Sequence, residues 1–186
     1  MLENKFLDQI FKKSIMMILF CVSIAIFLSL LTFNPNDPGW GVVSEQESNN
    51  IFGEVGSWIS SLIIREFGLI PGFLVSFVLF IWSLKLFNKS TINYFKLKAL
   101  GLFLFVVLGS LSDAYLELLI TKYINYQNSS IFQEGYSDWV FTFLSKNISS
   151  LLEISALNSS LTLGISSTII SLVLFFWISS LGPAEK

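Results

Sequence analysis

Four apolar runs, at 15–33, 69–87, 99–120 and 161–181, constrain this chain more than any other feature. They are 19 to 22 residues long. At about 1.5 Å rise per residue, each matches a hydrocarbon core about 30 Å thick. A water-soluble domain of 186 residues would not carry four such stretches. The expected fold is an all-α membrane protein with four transmembrane helices.

Composition removes several function classes. The chain is 53% hydrophobic and 13% charged, with mean hydropathy +0.71, which excludes a disordered or nucleic-acid-coating protein. A net charge of −2 argues against direct nucleic-acid contact, because phosphates need clustered Lys and Arg. Histidine is absent, which removes the commonest general base and metal ligand together. The single cysteine, Cys21, lies inside the first run, so it forms neither an intrachain disulfide nor a thiolate metal site. No G-x-x-x-x-G-K-[ST], G-x-S-x-G or H-E-x-x-H motif occurs. No catalytic, cofactor-binding or metal residue is therefore assigned, and the region is not expected to be an enzyme.

Lys12 and Lys13 precede the first run as in a signal peptide. The run exceeds the usual h-region of about 7–15 residues, and no A-x-A-like site follows, so it reads as an uncleaved span. Placing both termini in the cytoplasm puts Lys5, Lys12, Lys13, Lys85, Lys89, Lys96, Lys98 and Lys186 inside, eight of the 11 basic residues. Arg65, Lys122 and Lys146 fall outside. The positive-inside bias thus favours an N-in, C-in orientation in a bacterial inner membrane.

Between spans, residues 1–14 read as a basic, amphipathic cytoplasmic lead-in. Pro35 and Pro38 stop the first helix, and Asn36, Asp37 and Gly39 favour a turn. Trp40 sits where an interfacial aromatic is expected. From Gly53 to Glu66 the residues Val55, Trp58, Ile59, Leu62 and Ile63 recur at helical spacing, with Glu54, Ser57, Ser60, Ser61 and Arg65 facing away. That pattern predicts an amphipathic helix in the outer headgroup layer. Gly68 separates it from the second span, whose first turn holds Pro71. Gly68 and Gly72 form a GxxxG, read as a turn and helix start rather than a dimerisation face. A second outer amphipathic helix is expected over 137–157, from Trp139, Val140, Phe143, Leu144, Ile148, Leu151 and Leu152, with Ser137 or Asp138 as N-cap. Lys146, Asn147 and Glu153 argue against a fifth span, a central lysine alone costing about 3 kcal/mol. In the last span Gly164, Ser167, Thr168 and Ser171 form a small-residue stripe suited to close helix packing and to hydroxyl bonds across it. Residues 182–186 read as the start of a cytoplasmic linker.

Asp113 and Glu117 share one face near the outer end of the third span. Intramembrane carboxylates are candidates for ion or proton paths. Their outer position, beside Ser110 and Ser112, favours a structural role, with Arg65 or Lys122 as partners. A small ion or proton-coupled transporter using both acids is the rival reading.

The segment Leu31-Thr32-Phe33-Asn34-Pro35-Asn36-Asp37-Pro38-Gly39-Trp40, following a first span, resembles the membrane domain of FtsK/SpoIIIE-type DNA translocases. Asn50-Ile51-Phe52-Gly53-Glu54-Val55-Gly56-Ser57-Trp58-Ile59 and Phe67-Gly68-Leu69 are similar to that family's next two motifs. The resemblance, with its four spans, extends over essentially the whole chain. It marks Pro35, Asp37, Pro38, Trp40, Gly53, Gly56, Trp58 and Gly68 as motif and interaction positions. It implies an anchor that oligomerises, as a hexamer in this family, and contacts septal division proteins through its Trp40/Trp58 outer surface. It also implies a DNA-pumping ATPase for chromosome segregation beyond these residues, with ATP and Mg belonging to that absent motor.

Overall fold

In hydrocarbon every backbone N–H and C=O must find its partner within the chain, so apolar runs of this length become helices. The computed structural model describes residues 2–88, 94–124, 143–147, 150 and 156–179, and its regular elements are helical. They are α1 (Leu2–Leu31), α2 (Gly53–Phe67), α3 (Leu69–Phe87), α4 (Phe95–Ile124) and α5 (Ala156–Ser179). Four stretches are long and apolar enough to cross a membrane: Lys13–Leu31 in α1, Leu69–Phe87, Phe95–Leu116 in α4 and Ser160–Ser179 in α5. The lead-in over 1–14 is not a separate element, because α1 runs unbroken from Leu2 into its apolar stretch.

Three of the spans, α3, α4 and α5, pack against one another, and among the described residues α1 joins them through α3. α1 packs on α3, and α4 packs on α5. α3 joins the pairs by touching both α4 and α5, while α1 meets neither of them among the described residues. One end of the helices carries the C-terminus of α1, all of α2 and the start of α3; we call it the loop end. The other carries the connection from α3 to α4 and the C-terminus of α5; this is the hairpin end.

At the hairpin end Val78, Trp82, Phe105, Phe175 and Ile178 form a buried cluster. The Trp82 indole N–H donates to the Ile178 carbonyl at 3.0 Å, tying α3 to the last turn of α5. Lys98, expected in the connection ahead of the third span, is instead only 1% exposed in the first turns of α4. A second cluster, Leu111, Ala114 and Tyr115, packs with Leu144, Leu161 and Leu163. Leu144 thereby seats the helical stretch 143–147 against α4. Ser137, Asp138, Trp139, Val140, Ile148, Leu151 and Leu152 lie outside the described residues, as does 180–186.

Serines within the spans turn their hydroxyls back on their own helices: Ser76 to the Phe73 carbonyl at 2.7 Å, Ser110 to Val107 at 2.8 Å and Ser171 to Thr168 at 2.9 Å. A hydroxyl in an apolar setting needs a partner, and the carbonyl three residues back is within reach. The α5 stripe behaves the same way, with Ser167 and Thr168 both bonding the Gly164 carbonyl. Its role is steric, since Gly164 lies against the ring of Tyr115. The hydroxyl bonds expected across the helix interface are replaced by these intrahelical ones.

Candidate functional site: the polar lock at the loop end

The last carbonyls of a helix have no intrahelical donor, and α1 carries no basic residue in its last turn. Asn50, nineteen residues beyond α1, fills the gap. Its side-chain amide donates to the carbonyls of Ser29 at 2.8 Å and Thr32 at 3.3 Å. The Thr32 hydroxyl accepts from the Ile51 N–H at 3.2 Å.

Asp37 holds Asn50 in place. Its buried carboxylate, 3% exposed, accepts from the Ser48 hydroxyl at 3.1 Å, the Asn49 N–H at 2.9 Å, the Asn49 side-chain amide at 3.1 Å and the Asn50 N–H at 3.1 Å. Four donors converge on one carboxylate, so 34–50 is a closed polar ring rather than a loose loop. Gly56 completes it from α2: a Cβ there would occupy the space taken by the Asn50 amide oxygen. Gly53, at φ +60°, makes the turn that brings α2 back over Asn50.

A stripe along α2 then receives the other half of the loop. The Ser57 hydroxyl donates to the Pro38 carbonyl at 2.6 Å, the Ser61 hydroxyl accepts the Trp40 N–H at 2.7 Å, and Arg65 donates to the Trp40 carbonyl at 3.1 Å. These positions repeat every four residues and so share one face. The Trp40 indole N–H reaches Glu66 at 2.7 Å, and its ring meets Trp58 edge-on at 6.1 Å. Ser57, Ser60 and Ser61, expected to face away from the apolar stripe, do so and are its buried side. Val55, Trp58, Ile59 and Leu62 are the exposed side.

The break between α2 and α3 is Gly68, at φ +92°, a region that side-chain-bearing residues avoid. It packs directly on the Asp113 carboxylate. Asp113 accepts from the Leu69 N–H at 3.0 Å and, more loosely, the Ile70 N–H at 3.4 Å. It thus supplies from α4 the anionic cap that the N-terminus of α3 lacks locally. Arg65, expected beside Asp113, is engaged with Trp40 instead. The side chains of Glu117 and Lys122 lie outside the described residues. Gly72 is likewise committed within the chain. A Cβ on it would lie 2.6 Å from Ile63 Cγ2 and 3.2 Å from Leu30 Cδ1.

The residues marked by resemblance therefore fall in one structural unit, and a family model described as the 4TM region of DNA translocase FtsK/SpoIIIE matches residues 8–129. The chain belongs to the FtsK/SpoIIIE 4TM family. Curated relatives include the DNA translocase FtsK of Rickettsia prowazekii (strain Madrid E), 32% identical over 66 residues, which is 36% of this chain and 9% of that protein. The DNA translocase FtsK of Rickettsia typhi (strain ATCC VR-144 / Wilmington) is 29% identical over 66 residues, with the same coverage. The matched stretch is thus a small part of either relative. No solved structure matches the chain.

In this FtsK/SpoIIIE membrane region, Asp37, Gly53, Gly56 and Gly68 build the lock. Pro38 enters it through its backbone carbonyl, and Trp40 through its backbone and its indole. Pro35 lies at the turn before Asp37, whose N–H bonds the Asn34 carbonyl at 3.1 Å. Sequence reasoning did not single out Ser48, Asn49, Asn50, Ser57, Ser61 or Glu66 as lock members. A signal existed for two of them: Ser57 and Ser61 stand four apart, in register with Arg65, on a helix too short to span. Among the described residues no three His, Cys, Asp or Glu side chains gather as a metal-binding group.

Proposed function

We propose that this region is the membrane anchor of an FtsK-type cell-division DNA translocase, holding a DNA-pumping ATPase at the septum while contributing no chemistry of its own. The observation that carries this reading is the use of the motif residues. Asp37, Gly53, Gly56, Trp40 and Gly68 spend their side chains or their backbone freedom on rigidity. A stiff platform on a multi-pass inner-membrane region suits attachment and force-bearing.

In this proposal both termini are cytoplasmic, so the loop end faces outward. Septal partner proteins meet the exposed loop crest around Val43, Glu45 and Glu47. Trp40, with its backbone and indole both engaged, shapes that crest from beneath. Copies of the region associate in the membrane plane through the exposed apolar sides of the spans. The positive-inside bias, the family membership and the attachment of α1 through α3 support these statements.

The rival transporter reading needs Asp113 free to exchange an ion or a proton, and the cap on α3 gives that carboxylate structural work. The test is the double substitution Asp113→Asn with Glu117→Gln in the full-length protein, imaged at division sites and assayed for ion flux in vesicles. An asparagine keeps an acceptor for the Leu69 N–H. Normal septal localisation with no flux change supports the anchor. A flux that the wild type shows and the variant lacks supports transport. Reporter fusions placing Val43 in the cytoplasm would overturn the proposed orientation.

A further inference from the structure

We propose that α2 lies in the headgroup layer of the bilayer leaflet at the loop end, with phospholipid as the ligand of its free face. The argument starts from how the helix is covered. On a 3.6-residue period, Gly56 faces Asn50, Ser60 is fully buried, Ile63 faces Gly72 of α3, and Ser57, Ser61 and Arg65 face the 34–41 loop. The remaining arc holds Val55, Trp58, Ile59 and Leu62, which are 67%, 50%, 37% and 36% exposed. Glu66 shares that arc in the last turn, where its carboxylate takes the Trp40 indole N–H. Glu54 stands at the other end of the helix, exposed. Four apolar side chains in a row, one of them an amphipathic tryptophan, would be costly to leave in water.

Depth decides what covers them. Gly72, in the first turn of α3, packs against both Ile63 and Leu30, the latter next to last in α1. α2 therefore sits level with the outermost turns of two spans, and only Gly68 separates its C-terminus from the start of α3. The free arc continues into the lipid-facing surface of the spans, whose neighbouring apolar residues, Leu31 and Ile70, are exposed as well. An apolar arc at that height, with the polar lock on another side, meets the boundary between headgroups and acyl chains. Trp58 is suited to this layer, since indole favours the membrane–water boundary. This inference is independent of the anchor proposal, because it holds for either orientation and with or without a motor.

The test places a nitroxide at Val55→Cys, Ile59→Cys or Leu62→Cys, one at a time, in the Cys21→Ala chain. The protein is reconstituted in phosphatidylcholine–phosphatidylglycerol vesicles. Collision with oxygen, which partitions into hydrocarbon, is compared with collision with a water-soluble nickel chelate. The expected result is oxygen collision several-fold above nickel collision at all three sites, as at a lipid-facing Phe103→Cys control, with the order reversed at Val43→Cys. Nickel collision dominating at 55, 59 and 62 would overturn the proposal and leave a water-facing surface for a protein partner. Low collision with both reagents would also overturn it, showing the arc covered by protein, whether another segment or a second copy. Val55 is the most exposed of the three, so its label displaces little even if the label at Ile59 disturbs folding.

Discussion

At the loop end, Asp37, Asn50, Ser57, Ser61 and Asp113 hold the chain with directional bonds to backbone groups. At the hairpin end, Val78, Trp82, Phe105, Phe175 and Ile178 interlock by shape, and the Trp82 bond to Ile178 adds direction. The difference follows from what each set of residues has to bury. Between lipid-solvated helices no hydrophobic force favours association, so close packing and a few hydrogen bonds must supply it. Near the membrane boundary a loop can bury its backbone groups only if side chains replace the water they lose. One end is shape-locked, the other bond-locked.

The largest expected effect that tests this contrast is Asp37→Ala. Four donors lose their acceptor at once, and stability should fall by about 3 kcal/mol. Unfolding in mild detergent measures the loss. Hydrogen exchange should show amides 49 and 50 exposed while the α3–α5 contact stays protected. Equal loosening at both ends would erase the distinction. Gly56→Ala should follow, at about 2 kcal/mol, because the new methyl displaces the Asn50 amide. Its exchange pattern should match that of Asp37→Ala, and a different pattern would separate Asn50 from the Asp37 ring.

Trp82→Phe probes the opposite end. It keeps most of the ring packing, removes the donor to Ile178, and should cost about 1 kcal/mol with the lock intact. A much larger loss would mean that direction matters at the hairpin end as much as shape. The smallest effect has the opposite sign. The Ser29 hydroxyl is buried without a hydrogen-bond partner among the described residues. Ser29→Ala should therefore leave stability unchanged or raise it by about 0.5 kcal/mol in the same unfolding measurement.

Much of the architecture could be read from the residues. Four apolar runs gave four spans, and alternating stripes over 53–66 gave a helix too polar to cross. The motif from Asn34 to Trp40 marked the lock's position but not its wiring. Asp37 looked like a turn former, because turn propensity is local, whereas its partners stand 11 to 13 residues further on. Asp113 looked like a partner for Arg65 or Lys122, because charges suggest charges. Its described partners are neutral N–H groups at the start of α3, 44 and 43 residues away. Lys98 fell in the connection ahead of the third span, because the apolar run begins only at Ala99, and the packing buried it.

By itself, the sequence determined the number of crossings, the short helix between the first two and the family, since length, hydropathy and motif spacing are properties of contiguous residues. The tertiary structure alone decided that α1 joins the other spans through α3, that the serine side of α2 turns inward, and that Asn50 and Asp113 cap helices remote from them in the chain. The reason is physical. Burying an apolar residue is satisfied by lipid or by protein alike, so periodicity names a face without naming its cover. A hydrogen bond requires one particular partner at about 3 Å, and only the folded chain brings that partner there.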